Sequence, residues 1–152
     1  MRILVVNGPN LQLLGRREPS VYGTRTLPEL QATLAQRAEA LGVTLDFFTS
    51  NHEGELLDRL HAAVGDEEAL RADGIVINAG GLSHTSVALR DALAALADCG
   101  VPAVEVHLSN VFAREAFRAT SLLAPVCLGT VSGLGEPGYA AAVEALAVRA
   151  LR

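Results

Sequence analysis

The chain has 152 residues, half of them hydrophobic and 19% charged, a composition that indicates one folded domain and excludes a disordered chain. Its net charge of -5 excludes a surface that follows nucleic-acid phosphates, because such binding requires clustered basic residues. All twelve basic residues are arginines, which excludes a Schiff-base lysine and the lysine of a P-loop.

Short apolar runs alternate along the chain with longer segments whose apolar residues recur at helical spacing. We predict five strands, at residues 3–6, 43–48, 74–78, 103–106 and 126–131. We predict helices over residues 27–41, 56–64, 86–100 and from about 138 to 152, with one or two helical turns at 113–117. This alternation predicts an α/β fold, a doubly wound, flavodoxin-like three-layer sandwich with a five-stranded parallel sheet, formed by a single domain over residues 1–152.

Polar or glycine-containing segments follow the first four predicted strands. They are residues 7–10, 49–52, 78–81 and 107–110. Because the carboxyl ends of parallel strands lie at one edge of the sheet, we expect these segments to converge on a ligand site there. Loops are commonly polar, so each segment alone is weak evidence.

The loop at about residues 16–24 contains Tyr22 beside Arg16 and Arg17, is flanked by glycines, and is suited to close as a lid. Its glycine spacing matches neither a dinucleotide motif nor a P-loop. Lowering a tyrosine pKa from about 10 to about 7 needs roughly 4 kcal/mol of phenolate stabilisation, which a guanidinium in a dry site can supply. A tyrosine that only packs, with its hydroxyl hydrogen-bonded, is the open alternative.

Glu105 and His107 end the fourth predicted strand. Residues two apart on a strand point to the same side, so the carboxylate can orient the imidazole and prepare it as a general acid. A structural histidine at a strand end is the alternative that the residues alone leave open.

A helix N-terminus at Ser83 or at residues 85–86, next to His84, favours an anionic ligand such as a carboxylate. Ordinary helix capping, with the histidine in solvent, is the alternative. Arg114 and Arg118 are four residues apart and share one helical face, where they bind an anion or pair with nearby carboxylates.

No motif indicates a metal, a cofactor or a membrane span. Cys99 and Cys127 form no C-x-x-C pair and have no histidine at ligand spacing, so we expect neither zinc nor a disulfide. No apolar stretch approaches the ~18 residues of a membrane span, and no signal segment is evident. We therefore expect a cytoplasmic protein without metal or cofactor.

Five ordered motifs resemble those of type II 3-dehydroquinate dehydratases over essentially the whole chain. They are NGPN…LLG-x-REP…YG at 7–23, SNHEGEL at 50–56, N-A-G-G-x-x-HTSVALRDA at 78–92, EVHLSN at 105–110 and ARE-x-FR at 113–118. The resemblance implies a cofactor-free hydro-lyase that converts 3-dehydroquinate into 3-dehydroshikimate by reversible anti elimination of water through an enolate. It further implies a place in the shikimate pathway of aromatic amino acid biosynthesis.

The resemblance also implies roles for individual residues. Tyr22 matches the base that removes the C2 proton, and Arg17 matches the arginine that lowers its pKa and stabilises developing charge. Arg114 resembles a second arginine near that tyrosine. Asn10 matches the residue that holds a water against the enolate oxygen.

On the other side of the substrate, the resemblance implies that His107, oriented by Glu105, protonates the departing C1 hydroxyl. The implied substrate-binding residues are Asn78, His84, Asp91, Leu108, Ser109 and Arg118. Asp91 matches a residue that the family presents from a neighbouring subunit, and the family assembles as a dodecamer built from trimers. A homo-dodecamer is therefore expected, with no nucleic acid or membrane as partner.

The sequence departs from the family pattern at four positions, none of them an implied proton-transfer group. They are Gln12, Thr49, Arg59 and Phe112. Two rival hypotheses are a cofactor-free lyase for another polyhydroxy acid and a non-enzymatic flavodoxin-like ligand-binding module. A phospho-receiver needs acidic residues after the first and third strands, where Asn7 and Asn78 stand. Biosynthetic and quinate-catabolic roles use the same reaction, so the sequence does not separate them.

Overall fold

A computed structural model describes residues 1–16 and 24–150 of the chain. Its five strands are β1 (Arg2–Asn7), β2 (Thr44–Thr49), β3 (Gly74–Asn78), β4 (Ala103–His107) and β5 (Gly129–Ser132). They form one sheet in the order β2-β1-β3-β4-β5, and every neighbouring pair is parallel. This order is that of the flavodoxin-like doubly wound fold, so the predicted fold class is confirmed.

Four long helices cover the sheet. They are α1 (Leu27–Ala40), α2 (Glu53–Ala62), α3 (Val87–Asp98) and α4 (Glu136–Ala150). Helices α1 and α4 pack on one face of the sheet, and α2 and α3 pack on the other. Within residues 1–16 and 24–150, no helix is both long enough and apolar enough to cross a membrane.

The central strand β1 shows why the strands are continuously apolar. Ile3 and Val5 pack beneath α1 and α4, whereas Leu4 and Val6 pack beneath α2 and α3, and all four are fully buried. A parallel strand with helices on both faces has no solvent side, so polar residues first occur where the strand ends.

Two predicted boundaries differ from the structure in an informative way. The fifth strand begins at Gly129, not at 126, because residues Ala124–Val126 form a 3-10 turn closed by the Cys127 N–H and the Ala124 carbonyl. The second helix begins at Glu53, ahead of the predicted residue 56. Its first turn is acidic, which suits a helix N-terminus but adds no apolar periodicity.

The start of α3 resolves one of the alternatives left by the sequence. Ser86 is its N-cap, and its hydroxyl accepts a hydrogen bond from the Leu89 N–H at 2.9 Å. Ser83 belongs instead to a short 3-10 turn, Gly80–His84, that follows β3. Ordinary capping therefore accounts for Ser86.

Candidate active site

The strand ends of β1, β3 and β4 meet at one edge of the sheet, where Asn7 and Asn78 are in register across the β1–β3 pair. A pocket opens at this edge. The predicted site residues that line it are Asn10, Asn78, His84, His107, Leu108, Ser109, Arg114 and Arg118. Loops from three neighbouring strands thus converge as the fold rule requires.

Two glycines allow the loops after β1 and β3 to touch. Gly8 donates its N–H to the Asn78 carbonyl at 2.8 Å, and a Cβ at Gly8 would lie 2.5 Å from the Ala79 carbonyl oxygen. Gly80 adopts φ 58°, and a Cβ there would lie 3.0 Å from the Pro9 carbonyl oxygen. Any larger residue at position 8 would force the two loops apart, and with them the two sides of the pocket.

Asn10 stands in the left-handed region, with φ 70°, at the head of a short 3-10 turn. Asparagine tolerates this conformation better than most residues do. The Asn10 N–H donates to Asn51 Oδ1 at 2.9 Å, so the loop after β2 fixes its backbone. The sequence predicted Asn10 as a site residue but did not predict Asn51 as its support.

Tyr139 of α4 joins the ends of β1 and β3. Its fully buried hydroxyl donates to Asn7 Oδ1 at 2.6 Å and accepts from Asn78 Nδ2 at 2.9 Å, while Asn78 Oδ1 accepts from the Gly80 N–H at 3.2 Å. Burial raises the pKa of Tyr139 above its ordinary value, so the phenol stays neutral. The Asn78 side chain is therefore oriented from behind by a neutral group.

The Glu105–His107 contact expected from their spacing is present. His107 Nε2 lies 2.9 Å from Glu105 Oε1, and Glu105 is fully buried at the foot of the pocket. Burial acts to raise the pKa of Glu105, but the His107 and Ser121 hydrogen bonds, with a contribution from Ser83, hold that pKa below its ordinary value. The carboxylate is thus ionised, and the Nδ1 of His107 is the ring nitrogen left for a ligand.

His84 lies beside His107 with its ring nearly parallel, at 15° and a centroid distance of 6.0 Å. Its Nδ1 is 2.8 Å from the Thr120 carbonyl oxygen. Because a carbonyl only accepts, Nδ1 carries a proton, and Nε2 is the nitrogen available to a ligand.

The two predicted arginines both contact Glu115. Arg118 Nε donates to Glu115 Oε2 at 2.7 Å, and Arg114 Nε lies 3.7 Å from the same oxygen. The hydrogen bond from Arg118 lowers the pKa of Glu115. Arg114 also donates to Ser109 Oγ at 3.4 Å. The carboxylate pairing suggested by the sequence is present, and anion binding by the same two guanidiniums stays a prediction.

The loop after β4 is held by the end of β5. The Leu108 carbonyl accepts from the Gly135 N–H at 2.9 Å, and the Ser109 carbonyl accepts from Ser132 Oγ at 3.2 Å. The His107 carbonyl also accepts from the Gly133 N–H at 3.1 Å. These bonds fix the backbone on which the predicted binding positions lie.

Among the described residues, two predicted site residues do not line this pocket: Glu105, which lies behind His107, and Asp91. Asp91 is exposed on α3. Tyr22 and Arg17 lie outside the described residues, as does most of the predicted lid. Among residues 1–16 and 24–150 there is no group of three or more His, Cys, Asp or Glu that could hold a metal ion.

Two of the departures from the family pattern have visible surroundings. Arg59 donates to the Leu70 carbonyl at 3.0 Å and lies 3.9 Å from Asp46 of β2. Phe112 is 72% exposed. Neither residue lines the pocket.

Comparison with known proteins gave a consistent result. Residues 1–147 match the family model described as dehydroquinase class II. A relative from Corynebacterium efficiens named 3-dehydroquinate dehydratase 2 is 56% identical, over 98% of this chain and 99% of its own length. A Podospora anserina relative named catabolic 3-dehydroquinase is 49% identical, over 94% and 91% of the two chains.

The fold comparison agrees. The crystal structure of type II dehydroquinase from Butyrivibrio crossotus superposes with a TM-score of 0.90 at 40% identity, covering 96% of this chain and 97% of that one. The structure of type II dehydroquinase from Propionibacterium acnes gives a TM-score of 0.87, also at 40% identity, covering 97% and 96% of the two chains.

Proposed function

The chain belongs to the class II dehydroquinase family and catalyses the dehydration of 3-dehydroquinate, and we propose that this reaction takes place in the pocket at the ends of β1, β3 and β4. The observation that carries the proposal is the buried Glu105 carboxylate, 2.9 Å from the imidazole of His107, which lines the pocket beside two arginines. A buried carboxylate behind a pocket histidine is the arrangement of a prepared general acid. Family membership also removes the rival of a non-enzymatic ligand-binding module.

His107 is the proposed acid. Its Nδ1 gives a proton to the C1 hydroxyl of the substrate as the C1–O bond breaks, so that water leaves. Glu105 stabilises the imidazolium before the transfer and keeps Nε2 protonated afterwards. The loss of one proton therefore leaves a neutral imidazole with a fixed tautomer, ready to be protonated again.

Tyr22 is the proposed base, with Arg17 and Arg114 as the cations that favour its phenolate. The phenolate takes the C2 proton, and the electron pair of that C–H bond moves into the enolate of the neighbouring ketone. Collapse of the enolate forms the C1–C2 double bond and expels the hydroxyl. Asn10 holds the water that donates to the enolate oxygen.

Substrate binding is proposed for Asn78, His84, Arg118 and the backbone at Leu108 and Ser109. His84 offers Nε2, because Thr120 engages Nδ1. Asn78 is oriented by Tyr139. These groups offer polar atoms to the pocket and are held by hydrogen bonds to residues behind them. Such an arrangement suits a hydroxylated carboxylic acid bound in one orientation.

We propose that the enzyme is a homo-dodecamer built from trimers, in which Asp91 reaches the pocket of a neighbouring subunit. Exposed apolar side chains on and near the pocket side of the molecule support an interface there; they are Val87, Phe112 and Phe117. Light scattering would test the assembly. A mixture of refolded Tyr22→Phe and Asp91→Ala subunits should regain activity, since some pockets then combine two intact residues. No regain would overturn the shared site.

A cytoplasmic location and a place in the shikimate pathway are also proposed. Cys99 and Cys127 are both free thiols, which suits a reducing compartment. Burial raises the pKa of Cys127 to about 12, so this thiol is protonated and unreactive at neutral pH. Loss of the gene should impose a requirement for aromatic amino acids. Growth without them would favour the catabolic role instead.

One assay tests the central proposal. The purified protein is incubated with 3-dehydroquinate without added metal or cofactor, and the ultraviolet absorbance of the conjugated enone is followed. Tyr22→Phe should bind substrate but lose most of kcat. Absence of the enone signal, its loss with a chelator, or near-normal turnover by Tyr22→Phe would each contradict the mechanism.

A further inference from the structure

We propose that Ser121 is a positioning residue for this reaction: its hydroxyl holds Glu105 as a carboxylate and thereby keeps the proton of the Glu105–His107 pair on His107. The inference rests on the proposed function, because it requires His107 to be the acid. Ser121 does not line the pocket and acts through Glu105 alone.

The direction of the Ser121 hydrogen bond follows from its surroundings. Its Oγ lies 2.9 Å from both carboxylate oxygens of Glu105. The same oxygen accepts the N–H groups of Leu123 at 3.1 Å and Ala124 at 3.0 Å. A hydroxyl has two lone pairs and one proton. Because backbone donors engage the lone pairs, the proton must point to Glu105.

This arrangement disfavours a protonated Glu105. A carboxylic acid is a donor as well as an acceptor, and Ser121 has no lone pair left to receive its proton. Glu105 has no solvent-exposed surface. Apart from Ser121, the side-chain atom within hydrogen-bond distance of Glu105 among the described residues is His107 Nε2, which is therefore the acceptor for that proton. The shared proton is therefore held on the imidazole.

The other groups that face this pair do not replace Ser121. The Ser83 hydroxyl is buried near Glu105 and contributes to its lowered pKa, but no described atom lies within hydrogen-bond distance of it. The Cys127 thiol also faces Glu105, and it is protonated. On its pocket side, His107 faces the His84 ring and shares the pocket with Arg114 and Arg118. These groups lie on the pocket side of the imidazole, whereas Ser121 contacts the carboxylate.

The backbone around Ser121 is fixed to the pocket from both sides. The preceding carbonyl, of Thr120, accepts from His84 Nδ1 at 2.8 Å. The following residue, Leu122, donates its N–H to the Ser83 carbonyl at 2.8 Å and accepts from Arg90 Nη1 at 3.0 Å. Thr120 thus holds His84 directly through its carbonyl, and the next residue, Ser121, acts on His107 only through Glu105.

A purely structural role for Ser121, as the cap of the turn at Leu123 and Ala124, makes a different prediction. Loss of such a cap lowers stability and leaves the pH dependence of catalysis unchanged. Loss of a donor to a carboxylate makes that carboxylate hold a proton more strongly. The pH profile therefore separates the two roles.

The test compares the wild-type enzyme with Ser121→Ala, Ser121→Thr and, as a matched control, Thr26→Ala. Thr26 is the N-cap of α1, forms a capping box with Glu29, and makes no hydrogen bond to Glu105 or His107. Ser121→Ala should lower kcat by about tenfold or more with KM nearly unchanged, since a positioned proton donor contributes about 10²–10⁴. The alkaline limb of its kcat profile should move to higher pH. Ser121→Thr should restore both properties, and Thr26→Ala should change neither.

If the wild-type enzyme turns over 3-dehydroquinate and Ser121→Ala has the same kcat and the same alkaline limb, this inference is overturned. The proposed function is then left intact. Absence of turnover in the wild-type enzyme would instead overturn the proposed function. If Ser121→Ala does not fold, nitrogen NMR of the imidazoles in the wild-type enzyme and in Ser121→Cys decides, with His107→Asn identifying the signal. In Ser121→Cys, whose thiol is a weak donor, a proton that moves from Nε2 to Glu105 supports the inference, and the same Nε2 signal as in the wild-type enzyme overturns it.

Discussion

Two hydrogen-bond networks lie side by side at the strand ends, but their chemistry differs. The amide network (Asn7, Tyr139 and Asn78) joins β1 to β3 through neutral groups. The proton network (Glu105, His107 and Ser121) continues β4 and contains a buried carboxylate.

The difference separates two tasks that one site must perform. The amide network contains no group that ionises near neutral pH, since burial raises the pKa of Tyr139, so its geometry is independent of pH. The proton network is held together by a charge, and its geometry depends on where one proton lies. In the proposed mechanism, neighbouring strands therefore supply orientation and proton transfer separately, and we expect that each can be altered without the other.

The largest expected effect comes from His107→Asn, which removes the proposed acid but keeps a polar side chain. We expect kcat to fall by about 10²–10⁴, the usual contribution of a positioned acid, with substrate affinity nearly retained. Steady-state kinetics and calorimetric binding would measure the two effects. If kcat falls by less than about tenfold, the proton network does not supply the acid.

Glu105→Gln tests the charge in the proton network. Its pKa is lowered in the folded chain, so the carboxylate stabilises the fold above its unfolded pKa of about 4.3, and this stabilisation is lost as pH falls through the folded pKa. Urea unfolding from pH 3 to 7 should show a shallower acid slope in the variant, together with about 1–3 kcal/mol lower stability at pH 7. Equal slopes would show that Glu105 is not an ionised group of the folded state.

Tyr139→Phe removes one hydroxyl from the amide network. It leaves Asn7 Oδ1 and Asn78 Nδ2 without their buried partner, and we expect the free energy of unfolding to fall by about 1–3 kcal/mol. KM should rise because Asn78 loses its orientation, while the pH profile keeps its shape. If a limb of the kcat–pH profile moves in this variant, the two networks are not separate.

The smallest effect is expected at an ion pair that belongs to neither network. Arg25 contacts Glu136 at the start of α4, and the arginine is largely exposed. A double-mutant cycle with Arg25→Ala and Glu136→Gln should give a coupling of about 1 kcal/mol or less, with kcat unchanged. A catalytic defect would extend the site to this part of the surface.

The sequence was informative where the relevant signal is local. Strand and helix positions follow from apolar periodicity, and the Glu105–His107 contact follows from a separation of two residues on a strand. The start of β5 was wrong because Val126 resembles a strand residue, yet its segment closes a 3-10 turn around Pro125. Whether a β-branched residue such as Val126 lies in a strand or in a turn depends on its neighbours, and the apolar periodicity of the sequence does not contain that information.

The supporting residues could not be predicted because their partners are distant along the chain. Ser121 lies 16 residues from Glu105, and Tyr139 lies 61 residues from Asn78. The sequence signal for Tyr139 is one hydroxyl on the otherwise apolar buried face of α4. Positions that we propose to contact substrate occur in dense motifs, whereas the residues that hold them in place occur singly.

The bond between Tyr139 and Asn7 spans 132 residues and has a consequence for biosynthesis. A chain is made from its N-terminus, so the end of the first strand leaves the ribosome long before its hydrogen-bond partner has been translated. Nascent chains halted before residue 139 should resist proteases less than those halted after α4 has emerged. The orientation of Asn78 is therefore among the last features of the enzyme to form.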